Sequence, residues 1–202
     1  MRIRLAVEDL LLASWETSRA SVESVAPPGV EPGTVDGRFL VSLVSFRVRG
    51  GRVGRMPVLP FSQLNVRTYV LWNREPAVLF LASRVTAGGL PGIFLGAPYR
   101  LARLRVRTGT VRAPGLGLEL AYRPGGAGDP GELGRHELGI FESAGLRSIR
   151  IVRGPADWQS AEAVGGIRAD VLIAHGFPVQ GEPDLVYAPT ASFEAAPVAR
   201  LA

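Results

Sequence analysis

Lysine is absent from all 202 residues, and so is cysteine. Without cysteine there is no disulfide framework and no thiolate metal site. Without lysine no side chain can form a Schiff base, which needs a neutral primary amine, and arginine stays protonated. Only the amino terminus remains as an amine, and nothing places it in a site. The two histidines, His136 and His175, stand far apart without HExxH spacing, so neither a metal site nor a cofactor is expected. His136 lies in Arg135-His136-Glu137 beside a loop and reads as exposed. His175 reads as the end of a helix. Long apolar runs are missing too. The longest, residues 77–82, is far too short to span a bilayer. Glu8 and Asp9 interrupt the run near the start before it reaches signal-peptide length. The expectation is a soluble, untargeted, cytoplasmic protein with no membrane partner.

What is present is ordinary for a packed core: 47% apolar residues in a chain long enough to bury them. Residues 1–202 read as a single domain. All 23 basic residues are arginine against 18 acids, a formal charge of +5. Such a bias follows from a GC-rich genome without invoking nucleic acid. The arginines are not interleaved with aromatics of the kind that stack bases, so nucleic acid is disfavoured as a partner. There is no GxSxG elbow, P-loop or nucleotide fingerprint.

Short strands separated by turns dominate the pattern. Residues 8–15 read as a strand. Thr17 or Ser18 caps a short helix to Val25 that Pro27-Pro28-Gly29 ends. Asp36-Gly37 is a turn signal, and residues 39–48 are β-rich. Residues 50–62 read as a glycine- and proline-rich loop. Strands follow at 63–71 and 78–85, with a short helix at 90–97. Residues 99–112 alternate strongly, and 116–122 are placed to pair with them. Residues 123–134 (RPGGAGDPGELG) read as a flexible surface loop. A strand at 148–153, a helix at 168–175 ended by Gly176, and closing strands at 184–188 and 192–201 complete the chain.

Two segments carry candidate chemistry. In QLNVRTYV (residues 63–70), Gln63, Asn65, Arg67 and Tyr69 share one face of a strand and Leu64, Val66, Thr68 and Val70 the other. By alternation alone the polar row is a water-facing strand. In GAPYRLARLRV (residues 96–106), Arg100, Ala102, Leu104 and Val106 share a face. Arg103, Arg105 and Arg107 line the opposite, solvated one. Arg100 opens the apolar side and needs a partner there, either an internal carboxylate or a ligand anion. Glu8, Asp9 and Glu75 are acids close enough in sequence to serve.

These segments in this order, with Trp15, Pro27-Pro28-Gly29, Asp36-Gly37 and the late DLVYAP (residues 184–189), resemble the YqjF-like family. That is domain of unknown function 2071, within the acetoacetate decarboxylase-like superfamily. The resemblance implies a mainly β (α+β) fold, an antiparallel cone-shaped β-barrel with a few short flanking helices and a pocket inside. True decarboxylases of the superfamily carry two adjacent lysines where this chain has Tyr99 and Arg100. A superfamily glutamate falls at Gln63, which cannot act as an acid. A His-x-Pro-Trp feature is eroded to Arg153-Gly154-Pro155-Ala156-Asp157-Trp158. A barrel enclosing a polar pocket needs an inward polar row. The resemblance therefore makes Gln63, Asn65, Arg67, Tyr69, Tyr99 and Arg100 the candidate ligand-binding set. The expected ligand is a small carboxylate or carbonyl compound, with no Schiff-base decarboxylase activity. A homo-oligomer is compatible with this reading. The alternative is a non-catalytic interaction module whose arginine-rich surface meets an acidic partner or nucleic acid.

Overall fold

The structure is a computed structural model that describes residues 2–89, 98–134, 136–143 and 145–201. The helix expected at 90–97 lies outside the described residues. In chain order the strands are β1 (Ile3–Glu16), β2 (Val30–Pro32), β3 (Leu40–Val53), β4 (Met56–Val58), β5 (Phe61–Trp72), β6 (Glu75–Val85), β7 (Tyr99–Leu101) and β8 (Arg105–Arg107). Then come β9 (Thr110–Ala113), β10 (Leu118–Ala127), β11 (Leu138–Glu142), β12 (Leu146–Arg153), β13 (Gln159–Ala163), β14 (Arg168–Ala169), β15 (Asp184–Ala195) and β16 (Ala199–Arg200). Among the described residues two short α-helices, α1 (Arg19–Val25) and α2 (Asp170–Ile173), flank them. No helix among the described residues is long and apolar enough to cross a membrane.

The sheet closes on itself. Strands β12, β11, β6, β5, β3, β1 and β15 pair in that order, and β15 pairs back onto β12, which makes a seven-strand barrel. Every pairing around the ring is antiparallel except β6 with β11, which is parallel. From β15 the sheet continues outside the ring through β13, β10, β9 and β8.

Local chemistry sets the registers. Ser18 caps α1, its Oγ accepting from the Ser21 amide at 3.0 Å, and Pro27-Pro28 follow the last turn. The β5–β6 hairpin turns on Asn73 and Arg74, both at positive φ, as a two-residue primed turn requires. Asp36 and Gly37 do the same between Val35 and Arg38. Bulges then re-phase the walls. The β5–β6 register shifts between Val66 and Arg67, and both Phe80 and Ser83 then reach the barrel interior. On β1 a bulge at Glu8–Asp9 places Asp9 at φ 53. Ile3, Leu5 and Val7 face inward before it, Leu10, Leu12 and Ser14 after it.

Two apolar cores result. The inner one fills much of the barrel with residues such as Leu10, Leu12, Leu40, Val44 and Phe46. The outer one packs Leu11, Trp15, Leu64, Val66 and Val70 under α1, α2 and the β8–β10 extension. The chain is therefore apolar on both faces of β1 and β3.

Several expectations change here. The loop at 50–62 is largely a hairpin, because β3 runs on to Val53 and pairs with β4. The alternation at 99–112 does not form one strand but three, β7, β8 and β9. The closing strands merge into β15, with only a short β16 beyond. The helix at 168–175 shrinks to Asp170–Ile173. The loop at 123–134 is not a free surface loop. Residues up to Ala127 belong to β10, which pairs with β13, and Gly131–Gly134 is a 3-10 turn whose Leu133 is buried. Glu132 fixes that turn by accepting from the Asp36 amide at 3.1 Å.

Candidate functional site

The β5 row points inward. Gln63, Asn65, Arg67 and Tyr69 are all buried, and the alternate residues Leu64, Val66 and Val70 enter the outer core. Both faces of this strand are covered, so the polar row meets a cavity rather than bulk water. The cavity occupies about 310 Å³ inside the barrel. That lies at the low end of small-molecule sites, about 300–1,000 Å³. Phe46, Phe80, Phe141, Phe193, Ile149 and Ile151 supply its apolar wall. Gly139 gives the Phe80 ring its place, since a Cβ there would lie 2.5 Å from that ring.

Its polar groups are Gln63, Asn65, Arg67, Ser83, Tyr99, His136 and Arg153, with the exposed Glu137 at the rim. Gln63 Nε2 donates to Asn65 Oδ1 at 2.9 Å. Arg67 Nη2 donates to Tyr69 Oη at 3.1 Å and, more weakly, to the Leu133 carbonyl at 3.4 Å. Tyr69, with no exposed surface, sits behind Arg67 rather than on the cavity wall. Its hydroxyl lies 3.0 Å from Ser42 Oγ, which in turn lies 2.8 Å from Ser14 Oγ. A buried chain of hydroxyls therefore holds Arg67 from below.

Arg67 is 7% exposed, yet no carboxylate among the described residues pairs with it. The acids that could have served are engaged elsewhere. Glu8 pairs with Arg47 and Arg49, Asp9 with Arg47 at 3.1 Å, and Glu75 with Arg150 at 2.8 Å. Two buried polar atoms of the row are left over, Arg67 Nε and Gln63 Oε1.

A second cation adds to this charge. The Arg153 guanidinium lies over the rings of Trp158, at 5.2 Å, and Phe193, at 5.8 Å. Burial, reinforced by the charge of Arg67, lowers its pKa to about 10, so it remains charged at neutral pH. Burial also pushes the Tyr99 phenol up to about 12, with a Gln63 hydrogen bond pulling the other way. At neutral pH Tyr99 is a donor.

The site differs from the sequence expectation at several residues. Arg100 is exposed and does not line the cavity. Its parity with Leu104 and Val106 fails because the strand breaks after Leu101. It lies beside Arg84 on the β6–β7 pair, where its charge lowers the Arg84 pKa further than burial does alone. His136, expected in solvent, is half-buried on the cavity wall, its ring centroid 5.2 Å from that of Tyr69. Arg153, named above only within the eroded His-x-Pro-Trp feature, also lines the cavity. The signal was available: on β12, Ile149, Ile151 and Arg153 alternate onto the inner face, as Gln63, Asn65 and Arg67 do on β5.

Comparison with known proteins places this geometry in context. The family model DUF2071, an uncharacterized conserved protein, matches residues 4–191. The uncharacterized protein YqjF of Bacillus subtilis is 29% identical over 110 residues, which cover 52% of this chain and 40% of that protein. Less than half the length of that relative is thus matched. Among solved structures, acetoacetate decarboxylase from Legionella pneumophila superposes with a TM-score of 0.67 at 11% identity, covering 100% of this chain and 87% of that one. An acetoacetate decarboxylase-like enzyme from Sphingomonas wittichii gives 0.65 at 13% identity, covering 99% and 92%.

Proposed function

Since the chain belongs to the DUF2071 family and folds as an acetoacetate decarboxylase-like barrel, we propose that its barrel interior binds a small organic carboxylate without Schiff-base chemistry. The observation that carries this is Arg67: a buried guanidinium held by Tyr69, with neither a carboxylate partner nor a partner for Nε among the described residues. A buried charge is costly unless paired. Here a second cation, Arg153, borders the same cavity and raises that cost by repulsion. A carboxylate entering between them relieves both penalties. The guanidinium fork suits it, since its parallel donors match two carboxylate oxygens. The phenylalanine and isoleucine wall accepts a short apolar tail, and Gln63, Asn65 and Tyr99 offer neutral hydrogen bonds to a carbonyl or hydroxyl.

A thermal-shift screen of small aliphatic and aromatic carboxylates tests this. The parent and Arg100→Ala should be stabilised alike, because Arg100 lies outside the cavity, whereas Arg153→Met should respond less. No response in the parent, or an undiminished one in Arg153→Met, would contradict the pocket reading.

Schiff-base decarboxylation is excluded in this proposal by composition, since no lysine exists in the chain and guanidinium and phenol form no imine under these conditions. Borohydride trapping with acetoacetate should leave the intact mass unchanged. An adduct on an internal residue would overturn the point.

An acidic partner for the outer surface has narrower support. Arg105 and Arg107 are exposed on β8, at the end of the sheet, with no ion pair among the described residues.

A further inference from the structure

We propose that this pocket is a proton-transfer site for α-keto acids, in which His136 Nε2 removes and returns a proton on the carbon beside the ketone. The inference rests on the carboxylate reading above and gives it a substrate class and an activity.

The backbone fixes the histidine tautomer. Nδ1 lies 2.9 Å from the Glu132 carbonyl oxygen, which can only accept, so Nδ1 carries the hydrogen. Nε2 therefore holds the lone pair of the neutral ring. No described residue hydrogen-bonds to it. The ring is steadied by Tyr69 and borders the same cavity as Arg67 and Arg153.

The groups acting on the ring are Glu132, which supports its charged form, and burial and Arg67, which oppose it. Burial is the largest influence, and the pKa falls below the ordinary value. His136 is thus unprotonated at neutral pH, as a base must be. The Arg67 charge that discourages an imidazolium also favours an oxyanion. An enolate oxygen forming beside Arg67 would meet a donor already in place. Tyr99, kept protonated, adds a further donor.

The step balances without a co-reactant. The C–H pair becomes the new C–C π bond, the carbonyl π pair moves onto oxygen, and the proton goes to Nε2. Reversal restores the ketone and the neutral ring. In heavy water the returning particle is a deuteron. A carboxylate on one arginine and the adjacent ketone oxygen on a second donor is the geometry of an α-keto acid. The apolar wall selects a short alkyl tail over a second charge.

The test follows loss of the proton signals beside the ketone of α-ketobutyrate and α-ketoisocaproate in heavy water by NMR. The parent should speed exchange about a hundredfold over buffer, the lower range for general-base catalysis. His136→Gln should lose at least tenfold of that while its melting temperature still rises with the keto acid. Imidazole should partly restore exchange to His136→Ala. In the parent the rate should grow with one deprotonation whose midpoint lies below about 6.5, the ordinary histidine value. That profile serves if the variants fail to fold. Binding without exchange overturns this inference and leaves the carboxylate pocket standing, as does undiminished exchange in His136→Gln or a melting response confined to other carboxylates. No response to any carboxylate overturns both.

Discussion

Arg67→Met should abolish the response to carboxylates and leave the empty protein at least as stable as the parent. The two halves of this expectation have one cause. Arg67 gives the ligand up to two charge-assisted hydrogen bonds, each about 1.5–3 kcal/mol, so its loss should weaken binding by roughly a hundredfold or more. In the empty protein the same guanidinium is a desolvated charge with an unsatisfied Nε and a cation for a neighbour. Methionine keeps an apolar stem of similar reach and removes the charge. Exchanging buried charges for packed apolar groups ranges from neutral to a few kcal/mol stabilising, so the gain here should fall between nothing and roughly 3 kcal/mol. Tyr69 keeps its Ser42 partner throughout. Urea unfolding and titration calorimetry measure the two quantities. A variant that unfolds several kcal/mol more easily would show that Arg67 is a structural residue with an internal counter-charge. A site that stabilises its ligand at the cost of its empty state is a recurring stability–function trade-off.

Tyr69 should behave in the opposite way. Tyr69→Ala removes a ring with no exposed surface from the inner core, and by analogy with buried Phe and Trp should cost about 3–5 kcal/mol. Tyr69→Phe keeps the ring and deletes one hydroxyl that links Arg67, Ser42 and Ser14. Leaving those groups short of a partner should cost about 1–3 kcal/mol. It also frees Arg67 to turn, so carboxylate affinity should fall even though no ligand contact is deleted. A Phe variant equal to the parent in both stability and affinity would show that the hydroxyl chain positions nothing. Comparing the two variants by urea unfolding separates packing from hydrogen bonding at one position.

The sequence made the barrel legible where a strand carries its own period. Residues 63–71 show alternation by polarity, and the structure keeps that parity without interruption, so the inner row could be listed before its surroundings were known. Ser18, Asp36-Gly37 and Pro27-Pro28 act locally, and local signals survive folding. Parity across a longer stretch was less dependable. From Arg100 to Val106 the alternation is real, but the chain leaves the ladder after Leu101, and a residue-counting argument cannot see a break. The bulge at Glu8–Asp9 is the same problem within a strand, since one inserted residue exchanges the two faces. The glycine-rich stretch at 123–134 misled for another reason. Composition reports the freedom of the unfolded chain, whereas Glu132 and Leu133 tie the segment to the barrel through contacts 96 and 66 residues away. His136 was misplaced with it, because a residue beside a loop takes its exposure from where the loop lies.

The pairing of β1 with β15 sets an order of events during synthesis. Residues 3–16 are made well before their partner at 184–195. At about 5–20 residues per second the wait is roughly ten to thirty seconds. Until then β1 has only β3 beside it, and its other edge, carrying Leu10, Leu11, Leu12 and Trp15, is an open template for another chain. The nascent chain is thus exposed to mispairing for as long as the intervening residues are being made. A ribosome stall or truncation ahead of residue 184 should yield a product retained by chaperones or aggregated, with its first half already built into β1, β3, β5 and β6.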